Sequence, residues 1–158
     1  MSQLRLLLFF VLAMLAQWWW STHFSIAGVA PQVLLVATVA MAARYGSIWA
    51  MGCGFFWGLF LDVLSPRLFG ANALALVWVG YGTGSVRRQM DVAGLAPQCL
   101  LVFGTTWAYF MLLGLLGSVF AKTFLWVGWP VFLAGPFYNC LLTVLLYSVW
   151  DPRWDHRR

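Results

Sequence analysis

Residues 46–62 read Gly46-Ser-Ile-Trp-Ala-Met-Gly-Cys-Gly54-Phe-Phe-Trp-Gly58-Leu-Phe-Leu-Asp62. The run is apolar without alternation, and no charge interrupts it before Asp62. A helix in hydrocarbon has this pattern, whereas a barrel strand alternates between its two faces. Gly54, Gly58 and Asp62 recur four residues apart, so they share one helix face, and Ala50 extends it. Small residues four apart let membrane helices approach until their backbones pack, where no hydrophobic drive separates helix from lipid. The stripe is therefore expected to meet another helix, of this chain or of a partner, and it ends in a carboxylate.

Composition widens that reading to the whole chain. Of its 158 residues, 63% are hydrophobic and 8% charged, against about 25% charged in an ordinary soluble domain. Its mean hydropathy is +0.86. So few charges cannot cover a water-soluble globule, which excludes a soluble enzyme, a disordered tail and a nucleic-acid module. The net charge of +5 is scattered singly between apolar runs rather than gathered in a stripe, so no nucleic-acid partner is expected.

The charges also mark the spans. The uncharged stretches are 6–43, 45–61, 68–86, 92–121 and 123–150. A spanning helix needs about 20 apolar residues. The first stretch holds two spans, broken by Trp18-Trp-Trp-Ser-Thr-His23 and Pro31. The fold class expected is an all-α integral membrane protein. It is a single transmembrane domain over 1–158, with spans roughly at 4–20, 28–43, 46–64, 71–87, 95–120 and 129–150. Short connections make it a compact six-helix bundle. A cytoplasmic N-terminus puts Arg5, Arg44, Arg87, Arg88, Arg153, Arg157 and Arg158 inside, and only Arg67 and Lys122 outside. Basic residues favour cytoplasmic loops, so both termini are expected there. Trp18–Trp20 with Trp126 and Trp129 then form an outer aromatic belt, and Tyr45, Trp49, Trp150 and Trp154 an inner one. Arg5 and Leu6–Ala16 resemble the start of a signal peptide, but three tryptophans stand where a small-residue cleavage site would follow. The first helix is expected to be retained.

Several residues break the apolar pattern. Asp62 is the only acid inside an apolar span. It lies about 25 Å along its helix, near the outer surface and at the negative end of that helix's dipole. A cation would relieve it, and Arg67 follows across a Ser65-Pro66 turn. A structural pair with Arg67 is the expected role; contact with another protein and catalysis are the alternatives. Asn72 is placed to cap the fourth helix. Gly80 and Gly84 form a second small-residue pair there, beside Tyr81. Pro136 is expected to kink the sixth helix and free a carbonyl. Asn139 and Thr143 then share a face and seek hydrogen bonds on a neighbouring helix. Cys53, Cys99 and Cys140 have neither metal nor redox spacing and read as packing. His23 and His156 have no ligand neighbours. The tail 150–158 reads as a basic-aromatic surface anchor.

Enzymatic signatures are missing. No nucleophile-base-acid constellation and no phosphate loop is visible. An intramembrane aspartyl hydrolase needs two carboxylates at one site, and no cluster has metal spacing. No cofactor is expected. An ion-coupled transporter would show several intramembrane charges or broken helices in matched halves.

With these residues in place, the chain resembles the bacterial rod shape-determining MreD family. The resemblance rests on Gly54-Phe-x-x-Gly58-x-x-x-Asp62-x-x-Ser65, on Gly70-x-x-Ala73-Leu74 and on Tyr81. Pro31-Gln-Val-Leu-Leu35 and Asn139 add to it. Size, span number and short loops agree over nearly the full length, and the abundance of tryptophan departs from the family. The resemblance implies a multi-pass protein of the bacterial inner membrane, without enzymatic activity, that supports lateral-wall peptidoglycan synthesis. Its implied partners are MreC, a single-span periplasmic protein, and in a larger complex RodA, a class B penicillin-binding protein and MreB, besides membrane lipid. The family's fold is similar to the membrane substrate-binding subunits of energy-coupling-factor transporters. Three functions follow for test. The first is a scaffold in which Ala50, Gly54, Gly58, Gly80 and Gly84 admit a partner helix. The second is a vitamin-binding transporter subunit using Asp62, Asn72, Tyr138 and Asn139. The third is an intramembrane enzyme using Asp62.

Overall fold

Apolar length and charge spacing decide where helices form, and the computed structural model shows where they meet. It describes residues 3–23, 31–64, 68–89, 94–122, 124 and 127–149. Six helices and no strand form among these: α1 Gln3–His23, α2 Val33–Tyr45, α3 Ser47–Leu64, α4 Ala71–Arg87, α5 Leu95–Phe120 and α6 Trp129–Val149. Three stretches are long and apolar enough to cross a membrane: Ser47–Leu64, Leu95–Phe120 and Trp129–Leu146. Leu12, Leu15, Phe56, Trp78, Leu100, Leu115 and Phe137 are among the large apolar side chains left exposed. An apolar exterior of this kind suits hydrocarbon rather than water.

The centre of the bundle is α2. It packs against each of the other five helices, and its residues Val33–Val39 and Met41–Ala43 are buried. This helix begins later than the expected second span at 28–43. Pro31 disfavours helix at the residue before it, and α2 has 13 residues. That gives about 20 Å of helix, short of the roughly 30 Å hydrocarbon core. Its first residues, Val33–Val36, are buried, so the helix starts inside the bundle.

The most extensive pairing is α3 with α4. A methyl group at Gly54 would lie 3.0 Å from the Leu76 carbonyl oxygen, and one at Gly58 would lie 2.7 Å from the Asn72 carbonyl carbon. From the other side, a methyl group at Gly80 would lie 3.0 Å from the Ala50 and Met51 backbone, and one at Gly84 would lie 2.6 Å from the Ser47 backbone. The two small-residue stripes thus face each other. Trp57, fully buried on α3, holds α1 by stacking on Phe10 and edge-on against Phe9. Its indole N–H donates to the Phe10 carbonyl at 3.2 Å.

The second pair is α5 with α6. Pro136 lies within α6 and cannot donate to the carbonyl four residues back, that of Phe132. The indole N–H of Trp107 on α5 donates to that carbonyl at 3.1 Å, so the freed acceptor is satisfied by the neighbouring helix. Cys53, Cys99 and Cys140 are unbridged, and His23 is exposed, stacked on Trp19. Arg67, Ser65, Pro66, Asp91, Trp126, the tail 150–158 and the side chain of Arg5 lie outside the described residues.

Candidate functional site: two buried helix starts

A helix leaves its first N–H groups without partners, and inside a bilayer water cannot supply them. Both α2 and α4 start against other helices, and polar side chains from those helices supply the acceptors.

At α4 the accounting is complete. Gly70 precedes the helix with φ +91°, a backbone glycine adopts without strain, but it carries no capping side chain. The Ala71 amide donates to the Leu68 carbonyl at 3.2 Å, and that of Leu74 to the Gly70 carbonyl at 3.0 Å. Between them, Asn72 N–H donates to Asp62 Oδ1 at 3.1 Å and Ala73 N–H to Oδ2 at 3.2 Å. Asp62, on α3, thereby does the work of a cap residue at the second and third positions. Its charge faces the positive end of the α4 dipole. The close approach at Gly58, one turn earlier, is what brings the carboxylate within reach.

Asp62 is 3% exposed, so it is not an acid opening to water near a surface. The expected partner, Arg67, lies outside the described residues. Both carboxylate oxygens have hydrogen-bond donors without it. Asn72 is capped rather than capping. Its amide donates to Asp62 Oδ1 at 2.9 Å, and its Oδ1 accepts a short hydrogen bond from the Tyr109 hydroxyl on α5.

The start of α2 is built from three elements. Asn139 on α6 accepts from the Gln32 N–H at 2.9 Å through Oδ1. Its amide donates to the Thr106 hydroxyl oxygen at 3.1 Å and reaches Gln32 Oε1 at 3.5 Å. Gln17 on α1 accepts from the Leu34 N–H at 3.3 Å and donates to the Pro31 carbonyl at 3.5 Å. Thr143 donates to the Asn139 carbonyl at 2.8 Å, within α6 rather than across to a neighbour. Thr106 and Tyr109 are three apart on α5 and share a face, so one helix touches both starts.

Of the residues singled out in the sequence, Asp62 and Asn72 come together, and Asn139 lies in the second group. Ala50, Gly54, Gly58, Gly80 and Gly84 line the α3–α4 contact. Neither stripe is open to a helix from another chain in this arrangement, because each fills the other. Sequence reasoning missed Gln17, Thr106 and Tyr109, and noted Gln32 only as part of the Pro31–Leu35 stretch. A lone amide at the end of an apolar run was the available signal for Gln17; nothing local marked the others. Among the described residues, no group of His, Cys, Asp or Glu could hold a metal ion. The arrangement fastens helix ends; it presents no nucleophile with a base. Comparison with protein-family models finds no match, and comparison with curated proteins and with solved structures finds none either.

Proposed function

We propose that the chain is an MreD-like scaffold of the bacterial inner membrane that binds MreC and supports lateral-wall peptidoglycan synthesis. In this reading it spans the membrane six times with both termini in the cytoplasm, and it is not an enzyme. The observation that supports it is the unit formed by α3 and α4. The residues that carry the resemblance, Gly54, Gly58, Asp62, Gly70 and Ala73, fold into a single close-packed, cross-capped helix pair. Such a pair is a rigid platform, and rigidity is what a scaffold needs from its membrane domain. A partner helix then meets an outward face, since the small-residue stripes are closed on each other.

The alternative is a vitamin-binding transporter subunit. It needs polar groups converging on a pocket, and Asp62, Asn72 and Asn139 instead serve helix starts. Co-expression with the MreC-like protein of the same genome, then purification in mild detergent, tests the proposal. A complex that survives moderate salt is expected. A folded, monodisperse chain that recovers no MreC-like protein overturns it and directs the work to vitamin binding.

A further inference from the structure

Ring contacts show that α5 and α6 run antiparallel and fix their register. Trp107 stacks on Phe132 with ring centroids 6.0 Å apart, and Phe103 meets Phe137 edge-on at 5.2 Å. One more turn along each helix, backwards on α5 and forwards on α6, reaches Cys99 and Cys140. The Cys140 thiol donates to the Cys99 carbonyl at 3.2 Å, and the two thiols interact with each other. They lie 41 residues apart in the chain, so no local spacing marks them as a pair. The register of the two helices does. Cys53 is buried on α3, in the other close helix pair.

Burial decides what can reach these sulfurs. Cys99 and Cys140 are half-buried, and their seam is edged by the exposed side chains of Leu100, Phe137 and Leu141. Cys99 lies about 6 Å from the start of α5. The pair therefore sits in a seam that opens outward near one end of the bundle, within reach of a small uncharged oxidant. Facing cysteines on adjacent helices are also the placement that a disulfide requires.

We infer that Cys99 and Cys140 are a modification site, at which a peroxide closes a disulfide between α5 and α6. One sulfur attacks a peroxide oxygen; the O–O bond breaks, leaving a sulfenic acid and one water. The other sulfur attacks the sulfenic sulfur; the S–S bond forms, the S–O bond breaks, and the hydroxyl leaves as water with the second thiol's proton. Two thiols are oxidised to one disulfide, and one hydrogen peroxide is reduced to two waters. The bond ties the last helix to α5 one residue from Asn139, the acceptor at the start of α2. This assignment does not depend on the scaffold reading.

Lys122 is the only lysine in the chain, and it lies between the two cysteines. Cleavage after it puts Cys99 and Cys140 on different fragments, which a disulfide alone holds together in dodecyl sulfate. The full chain, folded in dodecyl maltoside, is treated with hydrogen peroxide, blocked with N-ethylmaleimide, denatured and cut with a lysine-specific endoprotease. Without reductant the fragments should run as one band of single-chain size, and with reductant as two. Cys53→Ser should behave in the same way. Cys99→Ser and Cys140→Ser should each give two bands throughout, and circular dichroism confirms that each variant is folded. Separate fragments from the oxidised wild type overturn the inference. So does a joined band that survives Cys99→Ser, which would pair Cys140 with Cys53. A band of twice the chain size in place of the single-chain band also overturns it, because the bond would then join two copies.

Discussion

Replacing Asp62 by Ala removes the acceptor of three hydrogen bonds, from the Asn72 and Ala73 backbone and from the Asn72 amide. Leaving a buried donor unpaired costs about 1–3 kcal/mol, so the two backbone groups alone amount to roughly 2–6 kcal/mol. Some is recovered, because a desolvated carboxylate is also removed. The net loss expected is about 3 kcal/mol, or more than about a hundredfold in the folding equilibrium. Asp62→Asn keeps one oxygen and is expected to lose about half as much. Arg67→Ala is expected to change stability by less than about 1 kcal/mol, because both Asp62 oxygens already have donors. The assay is unfolding in mixed dodecyl maltoside and dodecyl sulfate micelles, followed by far-ultraviolet circular dichroism. If Asp62→Ala unfolds with wild type, the cross-helix cap carries no stability. If Arg67→Ala costs as much as Asp62→Ala, the charge pair is the true fastening and the capping argument fails.

Two further outcomes are expected in the same assay. Gly58→Ala places a methyl group against the Ala73 backbone and forces α3 and α4 apart, costing about 1–3 kcal/mol, whereas Gly52→Ala, which meets nothing within 4 Å, is neutral or gains up to about 1 kcal/mol; equal effects would refute the stripe-to-stripe contact. Asn139→Ala strands the Gln32 N–H and takes a donor from the Thr106 oxygen, whose own O–H still reaches the Val102 carbonyl; it is expected to cost about 1–3 kcal/mol, with amide hydrogen exchange rising first at the start of α2, and unchanged protection there would remove Asn139 from its capping role.

The positions of the helices were legible because charge is intolerable in hydrocarbon. Arg44, Arg87 and Arg88 stand at helix ends for that reason, and apolar length does the rest. The start of α2 was not, because the stretch after His23 is as apolar as a span, and only Pro31 hints that helix begins beyond it. At Asp62 the eye is drawn to the nearest cation, five residues on. Its donors among the described residues lie 10 and 11 residues on, and two of the three are backbone groups, which no side-chain pattern advertises. The small-residue stripes were visible as faces, but a face does not name its counterpart, and here each was the other's. Asn139 announced a need for hydrogen bonds without revealing that one partner lies 107 residues away.

That separation bears on how the chain is made. Asp62 is synthesised before the helix it caps, so α3 and α4 leave the ribosome with the cap already in place, as a hairpin needing nothing further. The start of α2 is different: Gln17 precedes it, but Asn139 arrives only with the last helix. Until α6 is in place, the Gln32 N–H lacks the acceptor that Asn139 supplies. The final helix therefore seals the centre of the bundle, and a chain lacking Asn139 leaves the Gln32 N–H without that acceptor.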